Sequence, residues 1–265
     1  MGNCIKTIYI EQVRIDEISV LFVYDQNRSG QKSVVYLFHK ILENKEHELP
    51  LAYLLAERGY FVVLMDMRGH GARVDSFDVR RVYDFNHIYT DINLTAKDIG
   101  PVTAYLQTKS KLFDLNLQNI TCVGLSIGAN VALCAGYMYF NVTQVAALLG
   151  FYDWEYSVRN NLFASFRFFS VDRQVIRYEK VKNDIRRYHP IEHYKEGITW
   201  PRILFMNGTI DMAAPVDLVK KSFDSLYERY AAVQKQQQLT LRLYPKTGHK
   251  ISNQMVDDLL QWFTE

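Results

Sequence analysis

The stretch Asn119-Ile120-Thr121-Cys122-Val123-Gly124-Leu125-Ser126-Ile127-Gly128-Ala129-Asn130 passes from a β-branched apolar run into a run of small residues, and the change falls on Gly-x-Ser-x-Gly. A strand that turns at once into a helix brings the two elements nearly into contact two residues either side of the turn. A β-carbon has no room there. Gly124 and Gly128 occupy those two positions, so the turn closes and Ser126 projects from the carboxyl edge of a sheet. This is the shape of a nucleophile elbow. In a chain with 13 glycines the five-residue pattern alone carries little weight. The strand pattern before it and the helix pattern after it give it force.

Outward from the elbow, strand-like and helix-like segments alternate. Residues 8–10 look like strand, and β-rich runs at 18–24 and 33–38 are separated by Asp25-Gln26-Asn27-Arg28-Ser29-Gly30, which supplies hairpin turn chemistry and predicts an antiparallel start. Residues 49–58 have helical spacing and stop at Gly59; 60–65 are almost wholly apolar, as a parallel strand covered on both faces should be. The remaining pattern predicts helix 88–108, strand 119–124, helix 127–139, strands 144–149 and 202–206, helix 216–234, strand 239–243 and helix 251–263. Such an order implies an α/β fold with a mostly parallel sheet wrapped by helices. One domain over 1–265 is expected. Residues 151–201, dense in arginine and aromatics, interrupt the rhythm and read as a helical insertion, either a cap over a site or a lateral helix pair.

Composition narrows the function classes. The chain of 265 residues is 48% hydrophobic and can bury a full core. With 31 basic and 29 acidic residues spread along it, a net charge of +2 provides no field to concentrate on nucleic acid or a membrane surface. Three cysteines, Cys4, Cys122 and Cys134, do not make a disulfide framework, and two lie in apolar stretches. A reducing, cytoplasmic setting is therefore expected. The start Met1-Gly2-Asn3-Cys4-Ile5-Lys6 resembles a lipidation signal, but Lys6 stands where Ser or Thr is required. No His-Glu-x-x-His or cysteine cluster calls for a metal, and no cofactor is expected.

A serine hydroxyl is not ionised at neutral pH, so Ser126 needs a base, and the base needs a partner that fixes its tautomer. His249 follows the final predicted strand and precedes the last helix. Asp211 follows the strand at 202–206, with Gly208 easing the turn between. Both therefore sit in loops at the same sheet edge as the elbow, and the order Ser126, Asp211, His249 is that of α/β-hydrolases. Asp153, just past the strand at 144–149, is the alternative acid. The backbone N–H of Ile127, opening the helix after the elbow, is placed to meet an oxyanion. His39 reads as a structural hydrogen-bonder, His70 as a turn residue and His47 as solvated, while His87, His189 and His193 are candidates for the pocket.

Asp66-Met67-Arg68-Gly69-His70-Gly71, Gly124-Leu125-Ser126-Ile127-Gly128, Asn207-Gly208-Thr209-Ile210-Asp211 and Gly248-His249 together resemble the α/β-hydrolase superfamily. Within it the chain is similar to small bacterial esterases of the YjfP type, near the dienelactone hydrolase and prolyl-oligopeptidase-like branch. The resemblance runs from about residue 20 to the end, the insertion excepted. It implies the α/β-hydrolase fold and cofactor-free hydrolysis of a small-molecule ester through Ser126, His249 and Asp211; the insertion at 151–201 is read as a helical cap on that fold, and its aromatics suggest short to medium acyl or aryl groups. It also implies a second oxyanion donor from a His-Gly-x loop, which here reads His39-Lys40-Ile41, making the Ile41 N–H the donor and placing Lys40 where glycine is usual. His39, Lys40, Met212 and His87 are the expected pocket residues. A peptidase or acyl-aminoacyl hydrolase with the same residues and, because of Lys40, a non-catalytic binding protein stand as alternatives. A homodimer is left open.

Overall fold

A computed structural model describes residues 7–74, 87–151, 153–159, 178–196 and 199–265. The lipidation-like start with Cys4, and residues 160–177 of the insertion, lie outside the described residues. Eight strands form one sheet: β1 (Ile8–Ile15), β2 (Ile18–Asp25), β3 (Lys32–Phe38), β4 (Phe61–Met65), β5 (Leu115–Leu125), β6 (Val142–Leu148), β7 (Arg202–Gly208) and β8 (Leu239–Tyr244), in the order β1-β2-β4-β3-β5-β6-β7-β8. β1 pairs antiparallel with β2, and β2 antiparallel with β4. Every other pairing is parallel. This is the α/β-hydrolase architecture.

The period of two along each strand sorts the core into two layers. Val35, Leu37, Leu64 and Val123 face α1 (Leu49–Ala56) and α9 (Asn253–Trp262), where Leu55, Met255, Leu259 and Trp262 cover them. Val34, Tyr36, Phe38 and Val145 face the other way. They pack under α2 (Ile88–Lys97), α3 (Ile99–Phe113), α4 (Ile127–Met138) and α8 (Val216–Ala232), through Ile92, Val102, Val131 and Leu226. Val34 through Phe38 are wholly buried, and each large side chain so buried stabilises the fold by roughly 1.5–3 kcal/mol.

That burial corrects the predicted β2–β3 hairpin. A strand apolar on both faces belongs inside a sheet, and β3 sits between β4 and β5, with β4 separating it from β2. The antiparallel start is instead the β1–β2 pair, which turns at Asp16 with φ 50°. The predicted helix 88–108 is two helices. Pro101 has no N–H, and its ring crowds the carbonyl four residues earlier, at Lys97, so α2 ends there. The Tyr139 hydroxyl donates to that Lys97 carbonyl at 2.8 Å.

In the insertion lie α5 (Trp154–Arg159), α6 (Tyr178–Tyr188) and α7 (Pro190–Glu196). α6 rests on α2 and α5, where Thr90 donates to Asp184 at 2.7 Å. α7 rests on α4 and α8, where the Tyr194 hydroxyl donates to the Leu133 carbonyl. Arg159 pairs with Glu155 and lies over the Tyr178 ring, so it is engaged within the insertion. Cys122 and Cys134 are free and buried, and burial raises both thiols above the ordinary range. Among the described residues no helix is long and apolar enough to cross a membrane.

Candidate active site

The elbow is strained. Ser126 has φ 55° and ψ −114°, a conformation that residues with side chains rarely adopt. It is held because the Ser126 N–H donates to the Leu148 carbonyl at 2.8 Å, tying the turn to β6. A β-carbon at Gly124 would run into the Gly128 carbonyl, and one at Gly128 would come within 2.5 Å of the Phe38 carbonyl oxygen and 2.7 Å of that of His39. Strand, turn, helix and the loop after β3 thus meet at the glycines that the motif supplies. Ser126 caps α4 in position only: its side chain makes no hydrogen bond to the helix.

The hydroxyl is engaged elsewhere. His249 Nε2 lies 2.9 Å from Ser126 Oγ, and His249 Nδ1 lies 2.8 Å from Asp211 Oδ2 and 3.0 Å from Oδ1. A carboxylate only accepts, so Nδ1 carries the proton and Nε2 is left to accept from the serine. The Asp211 side chain is fully buried and His249's is 22% exposed, so the acid is shielded while water can reach the imidazole. Asp211 Oδ1 also accepts from the Ala213 and Ala214 N–H groups at 2.9 and 2.8 Å. Buried Asn207 donates to the Gly208 and Ala214 carbonyls and braces the loop from beneath. The loops carrying Asp211 and His249 are laced to each other, Ile210 N–H to the Thr247 carbonyl and Lys246 N–H to Thr209 Oγ1. Asp153 is not in this chain of contacts: one oxygen accepts from the Tyr156 N–H and the other pairs with Lys221 at 2.8 Å.

A small, partly open cavity adjoins Ser126. Ile41 and Ile127 line it, as do Tyr89 and Ile92 of α2, Asn130 of α4 and Trp154 of α5. The four expected pocket residues lie elsewhere. His39 is wholly buried beneath the loop; its Nδ1 donates to the Lys40 carbonyl at 2.7 Å and its Nε2 accepts from the Met67 N–H at 3.0 Å. Burial lowers its pKa to about 4, so it stays neutral and holds the loop after β3 to the one after β4. His87 is exposed at the entry to α2, and Met212 is 79% exposed beside Asp211, because successive residues of a loop point in different directions. Of the other two candidates, His193 packs on Tyr137 and donates from Nε2 to the Arg187 carbonyl, and His189 stands against Trp154. Tyr89, Asn130 and Trp154 were not foreseen. For Asn130 a signal existed: it stands four residues after Ser126, on the same helix face.

Lys40 turns away from the cavity and pairs with Glu43 at 2.9 Å. Its φ is not positive; the left-handed position in this loop is Leu42, φ 62°. A glycine is therefore not required at residue 40, and the loop closes with a lysine there. Lys40 and Glu43 border a second cleft with His47, Glu48, Leu51 and Lys250. Glu48 is 6% exposed, and burial with the neighbouring Glu43 charge raises its pKa to about 7. Between its unfolded value near 4.5 and 7 the folded chain holds more protons, so this group lowers stability as pH rises. Glu48→Gln is accordingly expected to raise the thermal unfolding midpoint at pH 8, by the equivalent of about 3 kcal/mol at most, with the gain vanishing near pH 4.5. Melting curves of both proteins across that range check it. Among the described residues no three His, Cys, Asp or Glu side chains gather as metal ligands.

Comparison with known proteins places this geometry among relatives. The profile of the prolyl oligopeptidase family matches residues 50–265. The Bacillus subtilis (strain 168) protein named "Putative esterase YitV" is 24% identical over 271 residues, covering 97% of this chain and 98% of its own. The crystal structure of TT1662 from Thermus thermophilus superposes with a TM-score of 0.70 at 18% identity, covering 97% of both chains. The acylaminoacyl peptidase of Pyrococcus horikoshii superposes with a TM-score of 0.73 at 16% identity, over 98% of this chain and 42% of that one.

Proposed function

The chain belongs to the prolyl oligopeptidase family, among the serine hydrolases of α/β-hydrolase fold, and from that premise we propose that it is a carboxylesterase acting on short to medium acyl or aryl esters. The observation that carries the proposal is the unbroken run of hydrogen bonds from Ser126 through His249 to buried Asp211. His249 takes the hydroxyl proton as Ser126 Oγ attacks the ester carbonyl, and Asp211 stabilises the imidazolium that results. The oxyanion rests on the Ile127 and Ile41 N–H groups, the first reinforced by the start of α4. His249 then protonates the departing alkoxide, and water, activated by the same imidazole, releases the acid. α5 forms a wall of the acyl site, so the insertion serves as a cap.

Esters rank first because an apolar cavity wall suits an acyl chain and because YitV, matched over nearly its whole length, bears an esterase name. The likeness to an acylaminoacyl peptidase supports a second reading, in which the same groups cleave an acylated amino-terminal residue. A fluorophosphonate probe followed by peptide mapping tests the mechanism: one adduct is expected, on Ser126, and an intact serine after long incubation overturns it. Rates on p-nitrophenyl butyrate against an acetyl-aminoacyl p-nitroanilide separate the readings, with the ester expected to turn over faster.

A further inference from the structure

The polar groups of the cavity wall can be followed one at a time. Ser126 is engaged with His249. Ser157 donates to the Trp154 carbonyl at 2.7 Å, and the Tyr89 hydroxyl is held by Ser157 Oγ at 3.1 Å and by the same carbonyl at 3.3 Å. The Trp154 indole N–H donates to Asn130 Oδ1 at 2.7 Å. An indole N–H can only donate, so the atom facing it must be the amide oxygen, and the orientation of Asn130 is settled by chemistry. Its NH₂ group is left with no partner among the described residues, on a residue that is 8% exposed and lines the cavity one helical turn from Ser126.

We infer that Asn130 is a specificity-determining residue of the acyl site, selecting acyl chains that carry a carbonyl acceptor two or three bonds beyond the scissile carbonyl carbon. The inference rests on the assignment of Ser126 as nucleophile. Asn130 follows Ser126 by about one turn of α4, a rise of about 5.4 Å, so an acceptor a few bonds from the reacting carbon can reach its amide. A plain alkyl chain of the same length strips water from the NH₂ and returns nothing, whereas a ketone or amide oxygen replaces that water. The apolar side chains of Ile92, Leu149 and Trp154 line the same cavity.

The test compares p-nitrophenyl 4-oxopentanoate with p-nitrophenyl pentanoate, each corrected for spontaneous hydrolysis. The wild-type kcat/KM ratio should favour the ketone roughly tenfold. Asn130→Asp keeps the size and the acceptor for Trp154 but removes both donors, and should bring the ratio to about one. Trp154→Phe frees the amide to turn either way and should lower the ratio at least twofold, which provides a second arm if Asn130→Asp does not fold. A wild-type ratio near one, or an unchanged ratio in either variant, overturns the inference. Failure to hydrolyse either ester, with no phosphonate adduct on Ser126, would instead overturn the hydrolase reading beneath it.

Discussion

Ser126→Ala is expected to lower kcat on p-nitrophenyl butyrate on the order of 10⁵-fold while leaving the fold intact. In the proposed mechanism the hydroxyl is the attacking group, and residual turnover would come only from binding and the proposed oxyanion donors. Stability should hardly move, for a reason visible in the turn itself. Serine at the first position of a helix often caps it through its side chain, and losing that bond costs about 1 kcal/mol. Here the hydroxyl makes no such bond, being turned to His249 instead. The alanine variant should therefore match the wild type in circular dichroism and melt within a few degrees of it. Turnover within tenfold of wild type by a protein so folded would remove Ser126 from the mechanism.

The second large effect belongs to the acid. Asp211→Asn should cost about 10⁴-fold in kcat, and Asp153→Asn no more than about twofold. The Ala213 and Ala214 N–H groups both point at Oδ1, so an asparagine would seat its oxygen there. Its NH₂ would then occupy the Oδ2 position, 2.8 Å from His249 Nδ1. Two donors cannot face each other, so the imidazole would move its proton to Nε2 and could no longer accept from the serine. Asp153 caps α5, which an asparagine oxygen can also do, and pairs with the exposed Lys221, so its replacement should move rate and melting little. Steady-state kinetics with an active-site titration, on both variants, check the pair. A larger loss from Asp153→Asn than from Asp211→Asn would reverse the assignment.

Much of this was legible in the sequence because it is written locally. The elbow shows as two glycines around a serine between a strand and a helix, and Asp211 and His249 show as loop residues that follow the last two strands. What was hidden depends on contacts that local pattern does not encode. The turn chemistry at residues 25–30 is sound, yet a central strand with no polar face had to be flanked on both sides, and β4 took the place a hairpin partner would have had. Pro101 marked the break between α2 and α3, but its effect falls four residues earlier, inside an otherwise continuous helical pattern. The cavity wall was the least visible. Lys40 and Met212 adjoin candidate site residues in the chain and point elsewhere, while Asn130 and Trp154, distant in sequence, share one hydrogen bond in the cavity wall.

The closeness of Gly128 to the Phe38 and His39 carbonyls has a wider meaning. The turn that carries Ser126 and the loop after β3 are fitted to one tolerance, with a single hydrogen atom as the spacer between them. Neither part can drift alone: a methyl group at that spot would push Ile41 away from Ser126 as surely as a change in the loop itself, so their spacing is guarded by a residue that has no side chain of its own.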